Sequence, residues 1–407
     1  MTNVTIVGCD LHDRSMILKT SVEKNEPQEK KFRNDSQGRA EMIAYLIDFA
    51  KKTKSSRIVF VYEASGQGYG LYDLLSDQGI ECFVLSPTHI PQSAKSKKNK
   101  TDPKDAMRLL ELARGHVLAG NSLPTVWTPP QRVRDDRELV RARLETGESF
   151  ARVKLQIFSM LKRRSVALPD WFVRNRGWTK RFVKWLEAQA EAMDEFVAPV
   201  LSNLIARCET LRLQNVDFEK HIARLSKTKR YKAPCEELRK LRGVGLLTAM
   251  TFLTEMGDLN RFSNRRQVAA YLGVCPSSFE SGEKNDPKGH ITRQGPGRIR
   301  KVLCQASWSA VRWNPKIRHR WERIKGGKPR RGKKAIVAIM RHLGIVMWHV
   351  ALEAGVSAEL QQTEINPPSW TSARARQTGA APSASPSPRP QARIIHAFGN
   401  FWPLLGI

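Results

Sequence analysis

The sequence predicts an α/β domain over residues 1–125, a long helical, coiled-coil-like segment over 126–235, and a mostly α-helical domain over 236–355. Three observations carry this reading. In the first 125 residues, short apolar runs of strand character alternate with stretches of helical period. From about 131 to 230 the chain turns rich in Arg, Glu, Leu and Ala, with few strand-like segments. From 236 on, helical spacing returns with ELRKLRGVGLLTAMTFLTEMG, before a tail whose composition changes again.

The elements follow in order. NVTIVGC (3–9) and SMILKTSV (15–22) predict strands joined by the turn DLHDR, and KKFRN (30–34) completes a meander. GRAEMIAYLIDFAKK (38–52) has apolar residues at helical spacing. RIVFVYEA is the continuous apolar run that a buried central strand requires. A Gly-rich turn, a helical LYDLLSDQG, the strand ECFVLSP and the helix DPKDAMRLLELARG finish the domain. The order β-β-β-α-β-α-β-α is, by analogy, that of ribonuclease-H-like domains, in which the first and central strands are neighbours and the last helix packs across them.

Within the helical segment, Val197, Leu201, Leu204, Cys208, Leu211, Asn215, Phe218, Ile222 and Leu225 keep a 4-3 alternation. That is a heptad seam with one polar core residue, Asn215. It fits either a helix packed on its own domain or a coiled coil that dimerises the protein. From Asn366 to Gln391 the chain carries a Pro, Ser, Ala and Arg composition that cannot bury enough apolar surface to order itself, so a disordered tail is expected over 366–407.

Composition narrows the function. Against 39 Asp and Glu stand 69 Lys and Arg, a formal charge of +30 over 407 residues, so the expected partner is a polyanion, above all nucleic acid. No cleavable leader pattern and no run of about 20 apolar residues is apparent, and no basic amphipathic helix dominates, so no membrane partner is expected. The six cysteines contain no C-x-x-C pair, which argues against a zinc ribbon or a disulfide framework and for buried thiols.

The residues that could carry chemistry are acidic. Asp10 ends the first strand, Glu63 lies at the end of the central one, and Asp102 and Asp105 sit three apart at the start of the last helix, among lysines. Carboxylates that converge from three elements cannot all ionise without a cation, and a hard oxygen site of this type suits Mg²⁺ or Mn²⁺. A pair of such ions could serve a phosphodiester exchange. The competing reading is local: Asp102 before Pro103 is also an N-cap with proline at the first helical position, and Asp10, with Asp13 as its rival, is also a turn residue. Lys97, Lys98, Lys100 and Lys104 would meet the DNA backbone.

Two further segments could hold phosphate. Arg242, Gly243 and Gly245 in LRGVGLLTAM form a helix-hairpin-helix-like turn beside a helix N-terminus. The loop YLGVCPSSFESGEKNDPKGHITRQG is followed by Arg298, Arg300 and Lys301 and contains Arg293; in it Ser281 precedes Gly282, which permits close approach of a phosphate. A serine there needs a base or a metal to become a nucleophile, and otherwise the Ser-Gly pair is a turn.

Taken in order, VGCDLH, YEASG, KTDPKDA, ELVRARLETGES, GVGLLTAMTFLTEMGDLNRFSNRRQVAAYLGVCPSSFESG, GHITRQG and RIRKVL resemble the DEDD transposases of the insertion-sequence-110 family, relatives of the pilin-gene invertase. The resemblance covers about residues 4 to 350. It implies a RuvC-like domain with Asp10, Glu63, Asp102 and Asp105 as metal-binding carboxylates. It also implies a C-terminal transposase domain in which Ser281 is the nucleophile, with Ser277 and Ser278 close by. Donor and target double-stranded DNA, a non-coding bridge RNA that pairs with both, and a tetramer built from two dimers are implied as partners, in the cytoplasm of a bacterium or archaeon. Gly295-Pro296 departs from the Gly-Asn usual before the Arg-rich helix, and the tail has no counterpart. The runner-up function is a RuvC-like metal-dependent nuclease or Holliday-junction resolvase that uses water; a third is a non-catalytic basic binding protein.

Overall fold

The computed structural model describes residues 3–90, 102–173, 178–277 and 289–355, the Asp102 side chain excepted. Lys97, Lys98, Lys100, Ser278, Ser281, Gly282 and the tail lie outside them. The chain divides into two compact units that meet in sequence between Thr128 and Pro129.

In the first unit, β1 (Asn3–Leu11), β2 (Ser15–Val22), β3 (Gln28–Arg33), β4 (Ser55–Glu63) and β5 (Glu81–Leu85) form one sheet of order β3-β2-β1-β4-β5. The β1–β2 and β2–β3 pairs are antiparallel, and β1–β4 and β4–β5 are parallel. The first and central strands are therefore neighbours. Strand β1 runs two residues past the expected end, because Asp10 and Leu11 stay paired with Ile17 and Met16.

Both faces of β1 and β4 are covered, which is why these strands are almost continuously apolar. On one face Val7, Cys9, Phe60 and Tyr62 pack with Met42 and Leu46 of α1 (Ser36–Lys52) and Leu71 and Leu75 of α2 (Gly70–Asp77). Asp35 starts α1 by accepting a hydrogen bond from Gly38 N at 2.7 Å. On the other face Ile6 and Val61 pack with Leu109, Leu110 and Ala113 of α3 (Asp102–Ala119). There α3 rests on the backbone of β1 itself: a Cβ on Gly8 would stand 2.4 Å from Ala106 O and 2.3 Å from Leu110 N.

The second unit is helical: α4 (Gln131–Arg163), α5 (Lys180–Glu191), α6 (Ala198–Leu225), α7 (Lys232–Lys240), α8 (Leu246–Met256), α9 (Arg265–Tyr271), α10 (Gly297–Trp313), α11 (Pro315–Lys325) and α12 (Gly332–Glu353). The heptad seam of α6 is real, and it lies against α4 of the same chain. Arg143 pairs with Glu219 at 2.5 Å, Gly147 faces Asn215, and Val153 and Ile157 share a core with Ile205 and Cys208, so the two helices run antiparallel. Asn215 is buried in that seam; its amide donates to Leu211 O at 2.9 Å, while its Oδ1 has no hydrogen-bond partner.

A buried polar lock ties α4 to α8. Arg137 donates to the carbonyls of Thr254 (2.6 Å) and Glu255 (3.0 Å), and Arg141 forks onto the Glu255 carboxylate at 2.7 and 2.9 Å. The last carbonyls of α8, which its own helix cannot satisfy, thereby find donors. Helix α12 is long and apolar enough to cross a membrane, but most of its apolar surface is buried inside this unit, where Ile339, Leu343 and Met347 are core.

Two predictions follow from the packing. Gly8→Ala will lower stability to urea by about 1–3 kcal/mol, because α3 must move off β1 to admit one methyl group. Burial, then the nearby Arg320 guanidinium, pushes the His342 imidazole down to about 4, against 6.5 in an open chain. The unfolded chain therefore takes up this proton first, and stability is lost as pH falls from 6.5 towards 4, by roughly 3 kcal/mol at the limit. His342→Gln will show a correspondingly smaller loss between neutral and acid urea titrations, and equal losses in the two proteins would refute the assignment.

Candidate carboxylate site and serine loop

The two-residue period of a strand places the acidic residues. Ile6, Gly8 and Asp10 alternate onto the α3 face of β1, and Val61 and Glu63 onto the same face of β4. Cys9 pairs with Tyr62, so Asp10 and Glu63 are the next residues along two adjacent parallel strands. Helix α3 runs antiparallel to β1: Ala106 and Leu110 lie at Gly8, and Arg114 donates to Asn25 O, near the start of β1. Its first turn, with Asp105, is consequently at the Asp10 end. Asp102 is the first residue of the helix.

Asp10, Glu63 and Asp105 thus share one end and one face of the sheet. Among the described residues, however, no three His, Cys, Asp or Glu side chains stand close enough to share a metal ion. The side chain of Asp10 is only 17% exposed, with His12 Nε2 3.1 Å from its Oδ2. His12 was not singled out by the sequence reading, although its i+2 spacing from Asp10 at a strand end was the available signal. The charge of Asp10 also helps burial to push the neighbouring Cys9 thiol upward. Asp13, the rival to Asp10, accepts instead from Gln67 Nε2 at 3.2 Å, in the turn after β4. Lys104 is exposed beside Asp105.

In the second unit a short hairpin stem frames the segment that contains Ser281. Pro276 bridges Ile291, the Ser277 amide donates to His290 O at 2.8 Å, and Thr292 N donates to Cys275 O at 2.9 Å. The Ser277 hydroxyl also donates to His290 O, at 2.8 Å, so it serves the stem.

Several of the residues expected to contact phosphate have partners within the fold. Arg298 pairs with Glu145, and Lys301 with Glu148 at 2.5 Å, which joins α10 to α4. Those pairs hold the Glu148 carboxyl below its ordinary range, chiefly through the Lys301 hydrogen bond. Arg300 donates to Gly295 O at 2.9 Å, closing the loop before α10. Gly243, at φ +97°, is pressed against α10, where a Cβ would stand 2.6 Å from Ala306 O; it serves helix packing, not an open cradle. Gly245 faces open space at the start of α8, Arg242 donates to Trp313 O at 3.3 Å, and Arg293 is exposed. Sequence reasoning saw basic residues beside loops; which carbonyl or carboxylate each one meets depends on helices distant in sequence.

Comparison with known proteins places the chain in a family. A family model described as the transposase of the IS116/IS110/IS902 family matches residues 235–322, and the DEDD transposase model of IS110 elements matches residues 7–165. The chain is 32% identical to y4qE of Sinorhizobium fredii, named as a transposase, over 74% of this chain and 77% of that protein. It is 26% identical to the transposase for insertion sequence element IS1533 of Leptospira borgpetersenii, over 76% of this chain and 86% of that one. The reading as a non-catalytic binding protein falls away with these relatives: the chain belongs to the IS116/IS110/IS902 family of transposases, enzymes that act on DNA.

Proposed function

We propose that the protein excises and inserts a mobile element by cutting and rejoining DNA, with Asp10, Glu63, Asp102 and Asp105 as the carboxylates of a divalent-cation site and Ser281 as nucleophile. The observation that carries the reading is the placement of Asp10, Glu63 and Asp105 on one face at one end of the sheet, from two strand ends and a helix start. The donor set is all carboxylate, the hard oxygen chemistry that suits Mg²⁺ or Mn²⁺. When bound, such a cation supplies charge stabilisation to a phosphodiester exchange.

The chain's own residues do the rest. The side chains of Asp10 and Glu63 project from a rigid sheet, and His12 orients the Asp10 carboxylate. The Ser281 hydroxyl attacks phosphorus, its proton ending on the DNA oxygen that leaves as a hydroxyl; a second DNA hydroxyl then attacks the serine phosphodiester, rejoining the strand and returning a proton to the serine oxygen that leaves. Guidance by an element-encoded bridge RNA, assembly into a tetramer from dimers and a cytoplasmic setting belong to this proposal through the family resemblance. The excess of basic charge fits RNA and two duplexes, and predicts affinity that falls steeply with salt.

The second reading is a nuclease or junction resolvase in which water attacks. The exposed His12 beside Asp10, a base within reach of such a site, is the observation that favours it.

The two separate on a denaturing gel of the protein with labelled element-end DNA, its flanking transcript and Mg²⁺. We expect a protein–DNA adduct that Ser281→Ala abolishes, with rejoined product down at least about 10³-fold, and no cutting at all by Asp105→Asn. Cleaved DNA without adduct in either wild type or Ser281→Ala would overturn the serine mechanism in favour of water.

A further inference from the structure

Beyond Lys301 the family-matched helix α10 leads into the most basic stretch of the chain. Residues 312–334 contain eleven Lys and Arg and a single acidic residue, Glu322. Glu322 is already engaged by Lys325, at 3.4 Å. Arg323, Lys328, Arg330, Arg331, Lys333 and Lys334 are all exposed on α11, on the turn after it and at the start of α12.

Tryptophans sit among these charges. Trp308 is 46% exposed and Trp313 60% exposed. Both indoles are on α10, Trp313 at its last residue before α11, and each offers a large aromatic face to solvent. The Trp321 ring lies 5.9 Å from that of Trp308, and its Nε1, although buried, has no hydrogen-bond partner. Hydrogen bonds tie the turn between α10 and α11. Asn314 accepts from the amides of Lys316 (3.0 Å) and Ile317 (3.3 Å), Arg318 donates to Val311 O at 3.2 Å, and the Arg312 guanidinium stacks over Trp313 at 5.0 Å.

We infer that this corner, Trp308 and Trp313 with the basic residues of α11 and the turn into α12, is a docking surface for single-stranded nucleic acid. Unpaired bases stack on the indoles while Lys and Arg track the phosphates. The inference deepens the proposed function, on whose nucleic-acid partner it rests. Duplex DNA would use the charges but not the rings, because its base faces are already stacked on one another; splayed bases use both. A membrane surface is a poorer fit: Ile317 is the one fully buried position of α11, whose other residues are mostly charged, so the helix has no broad apolar face to insert.

The test is fluorescence anisotropy of the full chain without divalent cation, so that binding is read apart from cleavage. Labelled oligo-U, oligo-dT and a duplex of equal length are compared for wild type, Trp308→Ala/Trp313→Ala and Trp308→Phe/Trp313→Phe. The Ala pair should weaken single-strand binding about tenfold or more, leave duplex binding within about twofold, and be rescued by the Phe pair. A larger loss for oligo-U assigns the surface to RNA, and for oligo-dT to displaced DNA strand. Unchanged single-strand affinity in a protein with wild-type circular dichroism overturns the inference, as does equal loss for duplex or displacement of the oligonucleotides by poly-glutamate. Should the Ala pair unfold, Arg330→Gln/Arg331→Gln decides: the salt slope for oligo-U must become shallower by about one unit or more. A protein that keeps its Ser281 adduct yet shows none of these effects retains the transposase mechanism and loses only this surface.

Discussion

The absence of one side chain, at Gly8, lets helix α3 lie directly on the backbone of β1. Everything about the candidate carboxylate site depends on that approach. Like charges gathered at one place repel, so packing, and not the acidic residues themselves, has to hold them there. The apolar contacts of Leu109, Leu110 and Ala113 with Ile6 and Val61 supply the attraction, and Gly8 sets the distance. Asp105 is carried to the sheet end as a consequence of where α3 lies.

A comparable constraint governs the helical unit. Helix α4 holds α6 through the heptad seam, α8 through Arg137 and Arg141, and α10 through Glu145 and Glu148. The Arg141–Glu255 pair is the costly one, since Glu255 is almost wholly buried and its charge is tolerable only with a bidentate partner. The exposed pairs to α10 are worth far less individually, about 0–1 kcal/mol each. The orientation of α10 rests instead on its buried face, with Ile299, Val302, Leu303 and Ala306 in the core of this unit.

This division sorts the basic residues by job. Arg137, Arg141, Arg298, Arg300 and Lys301 satisfy carbonyls and carboxylates within the fold. Around α11 Arg318 and Lys325 also have partners within the fold, whereas Arg323, Lys328, Arg330 and Arg331 are exposed. Net charge therefore points to a polyanion, while the placement of acidic partners shows which basic residues are already engaged within the fold.

The sequence alone determined the elements and their class, because alternation, helical period and capping are local: the five strands, the start of α3 at Asp102 and the inward face of α6 all follow from it. It also determined which acidic residues are candidates, since strand ends and a helix start can be counted. Only the tertiary structure decided what those elements meet. A heptad repeat specifies a seam but not its partner, and here the partner is α4 of the same chain, with Asn215 opposite Gly147. Nor does a run of arginines state which of them are neutralised. Glu145 and Glu148 lie about 150 residues from Arg298 and Lys301, and ion pairs across that distance are fixed by packing, which no local pattern encodes.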